Sequence, residues 1–148
     1  MDIVTRQVES RTDRELVEET LYRYASTIDA GDHERLRSLL TDDARAKYGG
    51  RDWLEGADAV VEFIRDKGAD VGWQHHLLNV YHVDIDGDAA SALTYHTSYQ
   101  ITRDRPDQAA VIVARYHDRL VRAAGAWLIR EKRMEIGWRE TRAGTSFP

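Results

Sequence analysis

The chain has 148 residues, 42% hydrophobic and 32% charged, with 26 acidic against 21 basic side chains and a net charge of -5. That balance excludes a disordered or membrane-embedded chain. Dispersed Lys and Arg under a net negative charge argue against a phosphate backbone as partner. The absence of cysteine excludes disulfides, thiolate metal ligands and cysteine nucleophiles together.

A chain of this length suits one domain, able to bury roughly 70% of its unfolded surface and to enclose a pocket. The start, Met1 to Gln7, lacks a basic segment followed by an apolar run, so no secretory signal is visible. No apolar stretch approaches the roughly 20 residues of a membrane span. The expected location is the cytoplasm.

Residues 1–11 are polar and read as a flexible arm. Thr12 or Asp13 can cap a first helix, with Glu15 in its first turn facing the positive end of the dipole. Leu16, Val17, Leu21, Tyr24, Ala25 and Ile28 then recur at three- and four-residue steps, giving one apolar stripe about 25 Å long. Asp29 falls at the end of that stripe, where a carboxylate meets the negative end of the dipole, and Ala30-Gly31 stops the helix. Asp32 caps a second short helix carrying Leu36, Leu39 and Leu40. Residues 44–48 read as a short strand closed by Gly49-Gly50. A third helix follows Gly56, with Val60, Val61, Phe63 and Ile64 on its apolar side.

Beyond residue 70 the pattern alternates. A strand over about 74–85 runs into Asp86-Gly87-Asp88, a strong hairpin signal. Its return strand covers about 89–101, the next about 109–121, and a last one about 126–138; the tail from Arg139 is polar. In the first of these strands His75, Leu77, Asn79, Tyr81, Val83 and Ile85 share one parity, and His76, Leu78, Val80, His82 and Asp84 the other. The first set is the more apolar, so it is expected to face inward and to carry the His75 imidazole with it. Three helices followed by long meandering strands predict an α+β fold, with helices packed in the concavity of a strongly curved, mainly antiparallel sheet. Such a cone leaves a cavity suited to a small ligand.

Residues 12 to 138 resemble the nuclear transport factor 2-like superfamily, and within it the SnoaL-like group. The resemblance is carried by Tyr24-Ala25-Ser26-Thr27-Ile28-Asp29-Ala30-Gly31-Asp32, Leu40-Thr41-Asp42-Asp43-Ala44, Leu54-Glu55-Gly56 at the start of the third helix, the His75-to-Asn79 segment, Val83 to Ala89, and Gly125-Ala126-Trp127. It implies a cone-shaped fold in one domain, with 1–11 and 139–148 as terminal extensions. In the scytalone dehydratase and lindane dehydrochlorinase-like branch, an aspartate ending the first helix pairs with a histidine opening the central hairpin. The resemblance places these at Asp29 and His75, the latter four residues before Asn79. His76 is the second candidate, because a β-bulge would exchange the two faces.

An aspartate bonded to one imidazole nitrogen fixes the tautomer and stabilises the imidazolium when the other takes a proton. The implied activity is a cofactor-independent lyase or isomerase acting on a small, mostly apolar molecule. The alternatives are a polyketide cyclase-like enzyme and a non-catalytic binding or assembly module, since fold does not settle function. Tyr24, Tyr48, Trp53, Trp73, Tyr95 and His96 are candidates for the pocket wall, each equally accounted for by packing. An arginine from the last strand is implied at Arg133, with Lys132 competing for the position. His75, His76 and His82 do not read as a metal site, because alternation puts His75 opposite the other two. No glycine-rich phosphate loop follows a strand and no nucleophilic serine motif occurs, so no cofactor is expected. Val111, Ile112, Val113, Tyr116 and Leu120 occupy both parities of one strand, which predicts a homodimer or homotrimer burying part of the outer sheet face.

Overall fold

The computed structural model describes residues 11–147. The arm expected over residues 1–11 lies, apart from Arg11, outside the described residues. Helix α1 spans Asp13–Ala30, and its start is a reciprocal capping box. The Glu15 N–H donates to Thr12 Oγ1 at 3.2 Å and the Thr12 N–H to Glu15 Oε2 at 2.7 Å. Gly31, at φ 68°, ends the helix in the left-handed conformation that glycine adopts without strain. Asp32 then caps α2 (His33–Ser38) through the Arg35 N–H, and α3 spans Ala57–Gly68.

Six strands follow the order β2-β1-β6-β5-β4-β3 in one sheet. They are β1 (Leu40–Tyr48), β2 (Leu54–Glu55), β3 (Val71–Asp86), β4 (Ala89–Thr102), β5 (Gln108–Ala123) and β6 (Ala126–Ala143). All neighbours are antiparallel except β1 and β6. Three expected boundaries move. α2 stops at Ser38, so Leu40, expected on that helix, and residues 41–43, expected to end it, open β1. Leu54-Glu55, expected to open the third helix, pairs with β1 as a short strand. The last strand runs to Ala143, because residues 139–143 pair with the first residues of β5. The expected tail therefore begins inside the sheet.

The core fills the concave face. Val17, Leu21, Tyr24 and Ile28 of α1 pack with Leu36, with Val60, Val61 and Ile64 of α3, and with Trp127 and Ile129 of β6. At the narrow end, Asp13 accepts from Arg122 at 2.7 and 2.8 Å and from the Trp127 indole at 3.2 Å. Thr20 donates to the Trp127 carbonyl at 2.8 Å, fixing α1 against the last hairpin. The far end, around the last turn of α1, stays open.

Register shifts interrupt β3 between Val71 and Trp73 and again between Val80 and His82. An inserted residue bends a strand and moves every following side chain to the other face. Val83 packs on the core, as expected, but so do Val80 and Leu78 on the other side of the second bulge. The inward set of β3 before that bulge is therefore Gln74, His76, Leu78 and Val80. The expected inward set is overturned there: Trp73, Leu77 and Tyr81 lie on the outer face, 53, 57 and 50% exposed. Among the described residues no helix is long and apolar enough to cross a membrane.

Candidate active site

The last turn of α1 and the first half of β3 meet at the open end of the cone. Asp29 projects from that turn, and its carboxylate is gripped twice by one residue of β3. Oδ2 accepts the His76 backbone N–H at 3.0 Å, and Oδ1 lies 2.5 Å from His76 Nδ1. Gln74 adds a tie from its side-chain amide to the Ile28 carbonyl at 3.1 Å. Two N–H donors from β3 offset the unfavourable dipole at this helix end. A carboxylate only accepts, so in the neutral ring Nδ1 carries the proton and Nε2 the lone pair.

This geometry corrects the expected pairing. His75 does not meet Asp29; its ring packs edge-on against Trp73 and Tyr99, at 5.0 and 5.2 Å, on the opposite face of β3. The cause is the bulge between Val80 and His82, which breaks the alternation that links Val83 to His75 on paper.

His96 of β4 stacks on His76 with ring centroids 5.1 Å apart, and meets the Tyr116 ring of β5 at a tilt, 4.8 Å away. It is 4% exposed, and among the described residues neither ring nitrogen has a hydrogen-bond partner. Burial, then the neighbouring His76 and Lys132, lowers its pKa to about 3 against a weaker pull from Asp29. His96 is therefore a neutral imidazole at physiological pH, able to donate from one nitrogen and accept at the other.

Opposite the histidines, the Tyr24 and Tyr48 hydroxyls are 2.5 Å apart. Tyr48 stacks on Phe63 of α3 at 5.2 Å, and Tyr24 meets Tyr116 edge-on at 6.1 Å. Burial raises both phenols above their ordinary pKa, so both stay protonated, one donating to the other and leaving one O–H free. Behind them Lys132 Nζ lies 4.2 Å from the Tyr24 ring and 4.0 Å from the Tyr116 ring, and 2.9 Å from the Asp118 carboxylate. Burial raises the Asp118 pKa and lowers that of Lys132, and each partner's charge opposes the other's shift.

The histidines His76 and His96 and the three tyrosines line a cavity of about 270 Å³, with Asp29, Lys132 and Asp118 behind its wall. Of the pocket candidates, Tyr24, Tyr48, His76 and His96 are on its wall. The others are elsewhere. Trp53 lies under the Arg45 guanidinium at 3.9 Å. Trp73 stands on the outer face, as does Tyr95, which stacks with Tyr81 at 4.2 Å beneath Arg115. Arg133 is exposed on that face, because its neighbour Lys132 takes the inward position. Sequence reasoning missed Tyr116, Ser98, Gln74 and Gln100 as wall residues. The parity of His96 contained the signal for two of them, since Ser98 and Gln100 follow it at two-residue steps. Among the described residues no cluster of three or more His, Asp or Glu side chains is placed to hold a metal ion.

The profile of the SnoaL-like domain family matches residues 9–133, and the chain belongs to that family. A comparison with curated protein sequences finds no match. Among solved structures, a protein from Novosphingobium aromaticivorans with a provisional scytalone dehydratase name is 18% identical. It has a TM-score of 0.78 over 89% of this chain and 91% of its own. The hexachlorocyclohexane dehydrochlorinase LinA type 3 of Novosphingobium barchaimii is 17% identical, with a TM-score of 0.79 over 91 and 93%. The Kfla4162 protein of Kribbella flavida is 22% identical, with a TM-score of 0.79 over 86 and 93%. At such identities the likeness is one of fold.

Proposed function

We propose that this SnoaL-like protein is a cofactor-independent lyase or isomerase in which His76, oriented by Asp29, takes a proton from carbon. The observation that carries the reading is the Asp29–His76 contact at the wall of an otherwise mostly apolar cavity. With Nδ1–H held by the carboxylate, the Nε2 lone pair attacks the substrate proton. The C–H electrons become a new C=C bond and expel a leaving group with its bonding pair, or are returned to a proton at a second carbon. The imidazolium formed lies 2.5 Å from a carboxylate that stabilises it. In the protonated Tyr24–Tyr48 pair one O–H donates to the other oxygen, and the remaining O–H is the hydrogen-bond donor for negative charge developing on the leaving group or on a conjugated oxygen. The dehydratase and dehydrochlorinase names among the structural neighbours agree with such an elimination. We also propose that the outer face, where Trp73, Leu77, Tyr81 and Trp138 are exposed, is covered by further copies of the chain.

The test uses 5-nitrobenzisoxazole, a small neutral molecule that opens to a coloured phenolate when a base removes its ring C–H proton. The expected result is turnover above buffer that is abolished in His76→Ala and reduced roughly 10²–10⁴-fold in Asp29→Asn. His75→Ala should retain activity. Equal rates for the wild type and His76→Ala would defeat the reading in favour of a non-catalytic binding module.

A further inference from the structure

The cavity wall has an uneven charge. The whole chain is acidic, yet the wall carries three cations, Arg51, Lys67 and Arg139, and no carboxylate. Asp29 stands behind His76 and is not part of the wall. The three come from separate places in the chain: the loop after β1, the end of α3, and the part of β6 beyond residue 138. All three are exposed, so they form the rim, while the histidines and tyrosines form the floor.

Some cations of this acidic protein are tied to carboxylates. Arg37 holds both Asp42 and Asp58, and Arg122 holds Asp13 and Asp88. Among the described residues, Arg51, Lys67 and Arg139, like several cations outside the cavity such as Arg115 and Arg133, have no carboxylate oxygen within 4.0 Å; what sets the three apart is their place on one cavity wall. Arg51 and Lys67 instead flank one apolar ring, with the guanidinium carbon 5.4 Å and the ammonium 5.7 Å from the Phe63 centroid. Phe63 is also the ring stacked on Tyr48. The charges are thus held beside the apolar wall that leads down to the phenols, and cation–π attraction keeps them there in the absence of an acid.

We infer that the substrate is an organic anion, an apolar ring or chain bearing a carboxylate, with the carboxylate at the Arg51–Lys67–Arg139 rim and the reacting carbon at the His76 floor. This rests on the proton-transfer reading above and adds the substrate class to it. An arginine fork matches a carboxylate in a way that a neutral oxygen does not. Rim cations also draw an anion toward the cavity, an effect that weakens as salt screens the field. A carboxylate anchored at the rim fixes which carbon of the apolar body reaches the base.

Binding of 2-naphthoate and of its neutral isostere 2-naphthamide, measured by calorimetry at low and high salt, tests the inference. The carboxylate should bind roughly ten-fold or more tightly than the amide at low salt, with the ratio falling as salt rises. In the triple variant Arg51→Gln/Lys67→Gln/Arg139→Gln the ratio should approach one. Because the ratio is read, a general loosening of the cavity cancels, and circular dichroism checks that the variant is folded. The ratio should persist in His76→Ala, where the dyad is gone, which separates failure of the rim from failure of the base. Equal affinities in the wild type, a preference that survives the triple variant or vanishes in His76→Ala, or no binding of the carboxylate at millimolar concentration would overturn it.

Discussion

Removing Lys132 should be among the most damaging single changes in this protein. Its side chain is 3% exposed, its partner Asp118 is fully buried, and they lie 2.9 Å apart. Lys132→Met keeps the apolar length of the side chain and its place between the Tyr24 and Tyr116 rings, but leaves a carboxylate in the core. Breaking such a pair from one side costs about 3–5 kcal/mol, whereas replacing both partners by apolar residues is often neutral or stabilising. For a chain of this size about 1 kcal/mol corresponds to roughly 2–4 °C, so Lys132→Met should melt some 6–20 °C below the wild type. The double variant Asp118→Leu/Lys132→Met should recover most of that loss. The pH dependence adds a second signature. Burial already raises the Asp118 pKa, and Lys132 is the main influence opposing the rise. Without it the folded pKa moves further above the unfolded one, so the folded state binds the extra proton. Stability of the variant is then greatest in acid and falls as pH rises toward the folded pKa, by up to about 1.4 kcal/mol per pH unit. Urea denaturation of the three proteins at pH 5 and pH 8 measures both effects. A loss under about 1 kcal/mol in Lys132→Met, or a double variant no better than the single, would refute the reasoning.

The neutral His96 predicts the opposite dependence in the wild type. Its folded pKa of about 3 lies below the ordinary value of 6.5, so its contribution is intact above pH 6.5 and drains away as pH falls toward 3. His96→Gln should flatten that acid limb in urea denaturation series, and parallel curves for the two proteins would count against a buried neutral imidazole. On the outer face, light scattering at micromolar concentration should give a dimer or trimer. Leu77→Glu and Trp138→Glu, at positions 57 and 60% exposed, should shift it toward monomer, and a monomeric wild type would remove the proposal of self-association.

Most of the architecture was legible because local signals agreed with one another. Thr12 with Glu15, Gly31, Asp32, and the Asp86-Gly87-Asp88 turn each mark an element boundary by a distinct stereochemical rule, and each boundary lies where that rule puts it. What misled was hydrophobic parity. On β3 the apolar set before the second bulge is outside, and on β4 the polar set of Thr94, His96 and Ser98 is buried. Parity assumes a dry interior and a wet exterior; here the interior holds a polar-floored cavity and the outer face exposes Trp73, Leu77, Tyr81, Val113 and Trp138 among its charges. Bulges did the rest. Counting back from the Ala124-Gly125 turn pairs Asp118 with Glu131, but the irregularity between Arg119 and Leu120 moves its partner to Lys132. A one-residue shift converts an apparent like-charge clash into the buried ion pair, and no local sequence signal announces it.

The position of Asp29 has a structural cause that is independent of chemistry. β3 is an edge strand, so alternate backbone N–H groups along its free side have no ladder partner. Helix α1 runs beside that edge and supplies acceptors from its own side chains. Asp29 takes the His76 N–H and the Tyr22 hydroxyl takes the Val80 N–H, at 3.0 and 3.4 Å. Two helical turns separate Tyr22 from Asp29, about 10 Å of rise, against about 13 Å between the two strand residues, so one helix face serves both sites. An edge clamp alone, however, needs one acceptor atom at each N–H, and Tyr22 meets that need with a hydroxyl. At His76 the clamp is a carboxylate whose second oxygen goes to the imidazole. Asp29→Asn keeps one acceptor and exchanges the other for a donor, so it can hold the edge or orient the ring but not both. Near-wild-type melting with a large loss of turnover would assign the second oxygen to the histidine's chemistry. Equal losses of stability and turnover would return Asp29 to the role of an edge clamp.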